Sequence, residues 1–168
     1  RQSDTNNEGG KRGMIEMLRV DHRLLHGQIA YAWTSHLNAD CILIANDDLV
    51  SDDLRKAAVK MAKPPQEKLV IKNIEKSIEA INSGVTDKYH LLIIVESVDD
   101  AVKLVKGCPV IRTLNLGNVK AREGAKQIEK TFNLMPDEEK ALRELSDQGV
   151  DIFIQRVPEV KSIDFKKI

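Results

Sequence analysis

Residues 14–28 read Met14-Ile15-Glu16-Met17-Leu18-Arg19-Val20-Asp21-His22-Arg23-Leu24-Leu25-His26-Gly27-Gln28. Met14–Val20, mostly apolar, reads as a first strand entering this stretch, and an amphipathic run, Gln28–Leu37, leaves it as a first helix. Between them, two arginines, two histidines and an aspartate fall within eight positions. A histidine flanked by arginines at a strand-to-helix junction is what reversible phosphoryl transfer through imidazole needs. The ring supplies a nucleophile, and guanidinium forks bind phosphoryl oxygens two at a time. Composition alone also allows a plain reading, a polar surface loop with solvated charges.

The alternation continues outward from this junction. Cys41–Ala45, Leu69–Ile71, Leu91–Val95 and Val110–Leu116 read as short aliphatic strands. Helices are expected over Asp52–Met61 capped by Ser51, over Ile74–Ser83 capped by Asn73 and stopped by Gly84, and over Val98–Lys106 capped by Ser97 and ending at Gly107. Pro64-Pro65 closes the region after the second helix. Gln127–Leu134 alternates polar and apolar residues like a short, half-exposed strand. Pro136 opens a helix through Gln148 with Asp137, Glu138 and Glu139 in its first turn. Gly149 stops that helix before a last strand, Asp151–Arg156. Buried strands alternating with helices predict an α/β fold: an open, doubly wound, mainly parallel sheet with helices on both faces and an irregular or antiparallel strand late in the chain. Ligands of such sheets sit beyond the C-terminal strand ends. The loop after the first strand ends there, as do Asn46-Asp47-Asp48 and Leu116-Gly117-Asn118.

The chain has 168 residues, enough for one domain with a substantial core. Its 26 basic and 26 acidic residues balance, which argues against nucleic-acid binding through bulk positive charge. No apolar run reaches the ~18 residues of a membrane span, and no signal-peptide pattern is visible. Cys41 and Cys108 sit in apolar contexts and read as packed, reduced thiols of a cytoplasmic protein. Residues 1–13 are polar and aperiodic and read as a disordered leader or an expression remnant, with Met14 the natural start and 14–168 a single domain.

The run Arg19-x-Asp21-x-Arg23-Leu24-x-His26-Gly27-Gln28 resembles the IIB component of the mannose/fructose/sorbose family of the bacterial phosphoenolpyruvate-dependent sugar phosphotransferase system. Trp33, Ile42–Asp48, Thr113–Asn118 and Val150–Gln155 follow in the order and at about the spacing of that family, so the likeness spans Met14 to Ile168. His22 stands where many relatives carry a second aspartate. The resemblance implies a phosphocarrier enzyme, a protein-Nπ-phosphohistidine–sugar phosphotransferase. It would accept a phosphoryl group from phosphorylated IIA and pass it to a sugar imported through the membrane components IIC and IID, working in the cytoplasm at the inner face of the membrane.

The residues by themselves leave His22 and His26 as rival nucleophiles; the resemblance selects His26, whose place directly before Gly27-Gln28 matches the motif. An imidazole with an ordinary pKa of about 6.5 is largely neutral, hence nucleophilic, at cytoplasmic pH. Arg19 and Arg23 are the candidate clamps for phosphoryl charge. Asp21 either orients a ring or an arginine, or caps the loop. Gly27 permits close backbone approach, and with Gln28 it opens a helix whose unpaired N–H groups suit phosphate oxygens. Trp33 reads as core; His36 and His90 as surface residues. Asp47-Asp48 and Asp52-Asp53 fit a loop and helix start better than a magnesium site, so neither metal nor dissociable cofactor is expected. Asn115-Leu116-Gly117-Asn118 reads as a turn whose amides line the phosphate pocket or merely close a strand. Two other readings stay open: a non-covalent phosphate- or nucleotide-binding module, and, less favoured, a receiver-like domain phosphorylated on Asp47 or Asp48. The sugar and the oligomeric state are not legible.

Overall fold

A computed structural model describes residues 14–168; the reading of residues 1–13 as a leader or remnant lies outside them. In chain order the elements are β1 (Met14–Asp21), α1 (Gly27–Leu37), β2 (Cys41–Ala45), a 3-10 turn (Leu49–Ser51), α2 (Asp53–Met61), β3 (Lys68–Lys72), α3 (Ile74–Ser83), β4 (His90–Val95), α4 (Val98–Gly107), β5 (Thr113–Asn118), β6 (Lys126–Glu129), β7 (Phe132–Leu134), α5 (Pro136–Asp147), β8 (Asp151–Ile154), β9 (Ile163–Asp164) and a 3-10 turn (Phe165–Lys167). Seven strands form one sheet in the order β9-β8-β5-β1-β4-β2-β3. All neighbours are parallel except β9, which runs antiparallel to β8. A separate antiparallel hairpin, β6–β7, follows β5. The expected architecture is therefore the observed one.

Two apolar cores cover the two faces of the sheet. One joins Trp33, Ala30 and Val59 of α1 and α2 to Met17, Ile42, Ile44, Leu92 and Ile94 of the strands. The other joins α3, α4 and α5 (Ile81, Leu104, Leu142) to Leu18, Leu43, Ile93 and Leu114. Alternate residues of one strand thus feed opposite cores, as the period of two requires. This is why the central strands β2 and β4 read as near-continuous apolar runs, whereas β1 carries Glu16, Arg19 and Asp21 among its apolar residues.

Crossovers from β1 lead toward β2 and β3, whereas that from β5 leads toward β8. The β1/β5 boundary is therefore where connections diverge, and a crevice opens beyond the C-terminal ends of those strands.

Local rules hold where the cap is local. The Asn73 side chain accepts from the Lys76 N–H and Gly84 closes α3 at φ 86°; the Ser97 side chain accepts from the Asp100 N–H. α4 ends at Gly107 as expected, and a Cβ there would come within 2.8 Å of the Ile78 side chain, so this glycine also serves close packing of α3 on α4. Three expectations need correction, the first being Gln127–Leu134, which is not one strand but the β6–β7 hairpin. Ser51 ends a 3-10 turn, and the Asp52 carboxylate caps α2 by accepting from the Arg55 N–H. Asn115–Asn118 is not a turn but the body of β5, paired with β1 from Leu18 to Asp21.

Candidate functional site

Construction of the site begins with burial. Leu24 and Leu25 are both buried in the α1/α2 core, at 2% and 6% exposure. Pinning these two side chains inward fixes the loop after β1 and leaves the next residue, His26, exposed. Leu24 takes a left-handed backbone, φ 61°. That is costly for a leucine, and it is tolerated because the turn is closed on both sides. The Leu24 N–H donates to the Asp21 carbonyl at 2.9 Å, and the His22 N–H donates to the Asn118 carbonyl at 2.9 Å.

His26 is the residue before α1, with extended backbone (φ −125°, ψ 112°) and no hydrogen bond from its side chain to the helix. The first turn of α1 carries no acidic residue. The N–H groups of Gly27, Gln28 and Ile29 open that helix and lie outside its internal ladder. An exposed imidazole thus stands beside uncompensated amide donors, a favourable setting for an anion carried on that ring.

Asp21 organises the cations. It is 1% exposed. Its Oδ1 accepts from the Arg23 main-chain N–H at 3.0 Å and from Arg23 Nε at 3.2 Å. Its Oδ2 accepts from an Arg23 terminal nitrogen at 3.2 Å and from an Arg19 terminal nitrogen at 3.1 Å. The carboxylate is therefore shared between two guanidinium groups and satisfied on both oxygens.

The two arginines are not equivalent. The Arg23 side chain keeps 33% of its surface exposed, whereas Arg19 keeps 2%. The Arg19 guanidinium donates to Asn115 Oδ1 and to the Gln155 carbonyl, besides Asp21. It also lies 5.5 Å from the centre of the Trp33 ring. Burial pushes its pKa down to about 10, against the raising effect of Asp21. It stays charged at neutral pH. Arg19, the other candidate clamp, is thus buried, and its fork ties β1 to β5 and to Gln155 just past β8. Asn115 completes the tie by donating to the Gln155 carbonyl at 3.0 Å. Sequence reading missed Asn115 and Gln155 as the holders of Arg19, because they lie 96 and 136 residues away along the chain. The exposed Arg156, whose charge also depresses the Arg19 pKa, was missed too.

Gly117 leaves the space that Arg19 fills. A Cβ built on Gly117 would come within 2.4–2.6 Å of three guanidinium atoms. The Gly117→Ala variant is expected to lose about 1–3 kcal/mol of stability by overpacking, read as a lower midpoint in chemical denaturation.

His22 is half-buried, with Nδ1 3.3 Å from the Asn118 carbonyl oxygen. It borders an open cleft of about 480 Å³, together with Asn118, Lys120, Gln127, Lys130 and Asn133. This cleft, formed by β5 and the β6–β7 hairpin, was not anticipated. Asn118 is 8% exposed, and among the described residues its Nδ2 has no hydrogen-bond partner.

The remaining candidates lie elsewhere. Trp33 is buried, donating from Nε1 to the Arg156 carbonyl at 3.2 Å. His36 packs edge-on against Trp33, and His90 pairs with Glu16 at 2.8 Å. Asp47 accepts from the Ile74 N–H and Asp52 caps α2. Among the described residues no group of three or more His, Cys, Asp or Glu is arranged to hold a metal. Cys41 and Cys108 are free and buried, and burial raises each thiol to about 11, which keeps both protonated. Among the described residues no helix is long and apolar enough to cross a membrane.

Comparisons with known proteins cover almost the whole chain. Residues 15–168 match the family described as PTS system sorbose subfamily IIB component. The chain is 36% identical over 151 residues to a protein named as a probable phosphotransferase enzyme IIB component of Streptococcus pyogenes serotype M6, covering 86% of this chain and 93% of the other. It is 34% identical over 151 residues to the PTS system sorbose-specific EIIB component of Lacticaseibacillus casei, covering 90% and 92%. Among solved structures, the IIBSor domain of the sorbose permease from Klebsiella pneumoniae superposes with a TM-score of 0.85 at 30% identity, covering 92% of this chain and 94% of that one.

Proposed function

The chain belongs to the sorbose-subfamily IIB components of the sugar phosphotransferase system, and from that premise we propose that it is a phosphocarrier working through His26. It takes a phosphoryl group from phosphorylated IIA and passes it to a sugar delivered by the membrane components IIC and IID. The carrying observation is the exposed His26 ring at the opening of α1, three residues after Arg23, whose fork Asp21 holds.

In the first step a neutral ring nitrogen of His26 attacks phosphorus. The P–N bond to the donor imidazole breaks as the P–N bond to His26 forms. The donor ring leaves with the electron pair. In the second step a sugar hydroxyl attacks, a P–O bond forms, and the P–N bond to His26 breaks. The hydroxyl proton is taken up by the departing imidazole or by water. Both steps pass through a transition state with charge spread over three phosphoryl oxygens. Arg23 is the clamp for that charge, held in place by Asp21; Arg19 acts one shell further in, fixing Asp21. Gly27 and Gln28 offer main-chain N–H groups to the same oxygens. The chemistry needs a neutral imidazole and fixed positive charge. On this reading the protein works in the cytoplasm and meets the membrane only through IIC and IID.

Incubation with phosphoenolpyruvate, the general carriers and the cognate IIA is expected to place one acid-labile, base-stable phosphate on the chain. A base-labile acyl phosphate would point to an aspartate instead, and absence of any covalent label would favour non-covalent phosphate binding. Replacing Arg23 removes a charge-assisted contact to the transferring group and is expected to slow transfer by about 2–4 kcal/mol of barrier. Arg23→Lys recovers little of this, because an ammonium cannot form the fork that Asp21 holds. Single-turnover transfer rates for wild type, Arg23→Lys and Arg23→Ala check the claim; equal rates for wild type and Arg23→Lys would remove Arg23 from the clamp role.

A further inference from the structure

Helix α2 carries apolar residues on both sides. Val59 is buried in the core at 6% exposure. On the opposite side Leu54, Ala57, Ala58 and Met61 follow the i, i+3, i+4, i+7 spacing of one helix face, and all four are exposed. Leu54 is 85% exposed and Met61 87%. Scattered apolar side chains on a surface need no explanation; an aligned stripe does.

The stripe's position sets its meaning. Its Met61 end reaches Ala62, whose carbonyl oxygen lies 3.6 Å from where a Gly27 Cβ would be. The α2 C-terminus therefore abuts the opening of α1, next to His26. Tyr31, one turn into α1, is also 56% exposed. The reactive loop thus has two unlike flanks. Toward β5 lies the open polar cleft with His22, Lys120 and Lys130. Toward α2 lies the apolar stripe.

We infer that the exposed stripe of α2, Leu54, Ala57, Ala58 and Met61, is the docking face for the protein that donates the phosphoryl group. This rests on the phosphocarrier reading above. The occupant it fits is a folded protein with an apolar patch beside its own phosphohistidine. Such a donor must bring one imidazole up to another without water between them, and a dry contact next to the ring supplies that exclusion. The polar cleft on the other flank suits a hydroxyl-rich acceptor. Charge agrees: Arg23 in the loop is partly exposed and Lys60 near the C-terminal end of α2 is exposed, positive charge of the right sign for an incoming phosphoryl dianion, while the acidic Asp52 and Asp53 lie at the other end of the helix. Size agrees too. Four residues present on the order of a few hundred Å², short of the roughly 2,000 Å² or more of an obligate dimer and suited to a transient encounter.

The test uses the full chain and its cognate phosphorylated IIA. Leu54→Gln, Met61→Gln and the double variant keep good helix formers while removing the apolar stripe. The double variant is expected to raise the IIA concentration giving half-maximal labelling of His26 about tenfold, with the maximal labelling rate within about twofold of wild type, because the chemistry is untouched. Val110→Gln, at another exposed apolar site outside α2, should change neither, and thermal melts should show all variants folded. Wild-type labelling with an unchanged half-saturation in the double variant would overturn the inference and leave the phosphocarrier reading standing. So would a defect confined to transfer from the phosphorylated chain to sugar in membranes, which would assign the stripe to IIC or IID. A wild-type dimer in sedimentation that the double variant abolishes would assign it to a second copy. A wild-type chain that never takes label from IIA would defeat the phosphocarrier reading itself, and the docking inference with it.

Discussion

His26→Ala is expected to accept no phosphoryl group from IIA while unfolding at the wild-type midpoint. The first half follows from chemistry: alanine offers no nucleophile, and no neighbouring ring replaces it. His22, the other histidine of the loop, is half-buried over the Asn118 carbonyl and borders the cleft toward β5. The second half follows from geometry. The His26 side chain is exposed and makes no cap hydrogen bond to α1, so its removal forfeits no buried contact. Exposed substitutions of this kind stay within about 0.5 kcal/mol. His22→Ala is expected to keep accepting phosphate, at a rate lowered only by loss of its contact with β5. Labelling both purified variants with radioactive phosphoenolpyruvate through the general carriers decides the matter. Label on His26→Ala together with none on His22→Ala would exchange the two assignments.

What the sequence made legible was whatever depends on near neighbours. The strand Cys41–Ala45 and the helix Ile74–Ser83 with its Asn73 cap and Gly84 stop appear with the same bounds in the structure, because periodicity and capping act within one turn. The sheet's parallel order follows from strands alternating with helices, and the late antiparallel strand appears as β9. The misread places are those where a distant residue decides. Asn115, Gly117 and Asn118 have turn composition, yet they form β5, because Asn115 receives the Arg19 fork and Gly117 makes room for it. Gln127–Leu134 looks like one strand and is a hairpin, its turn at Lys130-Thr131 carrying no glycine or proline to announce it. The separate fates of Arg19 and Arg23 were equally hidden. Both arginines offer the same charged fork to a phosphoryl group, so residue type alone named them together as clamps. Only the long-range bonds of Arg19 to Asn115 on β5 and to the Gln155 carbonyl just past β8 show that one is interred while the other stays partly at the surface.

That asymmetry makes Asp21 the most sensitive position in the loop. Its carboxylate is 1% exposed and is the only anion bonded to the Arg19 guanidinium among the described residues. Asp21→Ala would leave a buried cation facing neutral acceptors alone. Removing one partner of a buried ion pair typically costs about 3–5 kcal/mol, well above the net worth of the pair, because the remaining charge stays desolvated. The lowering of the Arg19 pKa has burial as its largest cause and the Asp21 charge as the main opposing one; deleting Asp21 removes that opposition. The loop suffers as well. Asp21 receives three bonds from Arg23, including its main-chain N–H, so the turn that holds Leu24 at positive φ loses its lock. Asp21→Ala is therefore expected to unfold at markedly lower denaturant and, in the fraction still folded, to transfer phosphate slowly because Arg23 is no longer aimed. Asp21→Asn distinguishes the two effects. It keeps an acceptor oxygen and the side-chain shape, so it should retain more stability than Asp21→Ala while still weakening the grip on both arginines. Denaturation midpoints and single-turnover transfer rates measured on the same samples separate stability from aim. Wild-type stability in both variants would mean that Asn115 and the Gln155 carbonyl suffice to hold Arg19. Wild-type transfer in both would mean that Arg23 needs no carboxylate to point it at the phosphoryl group.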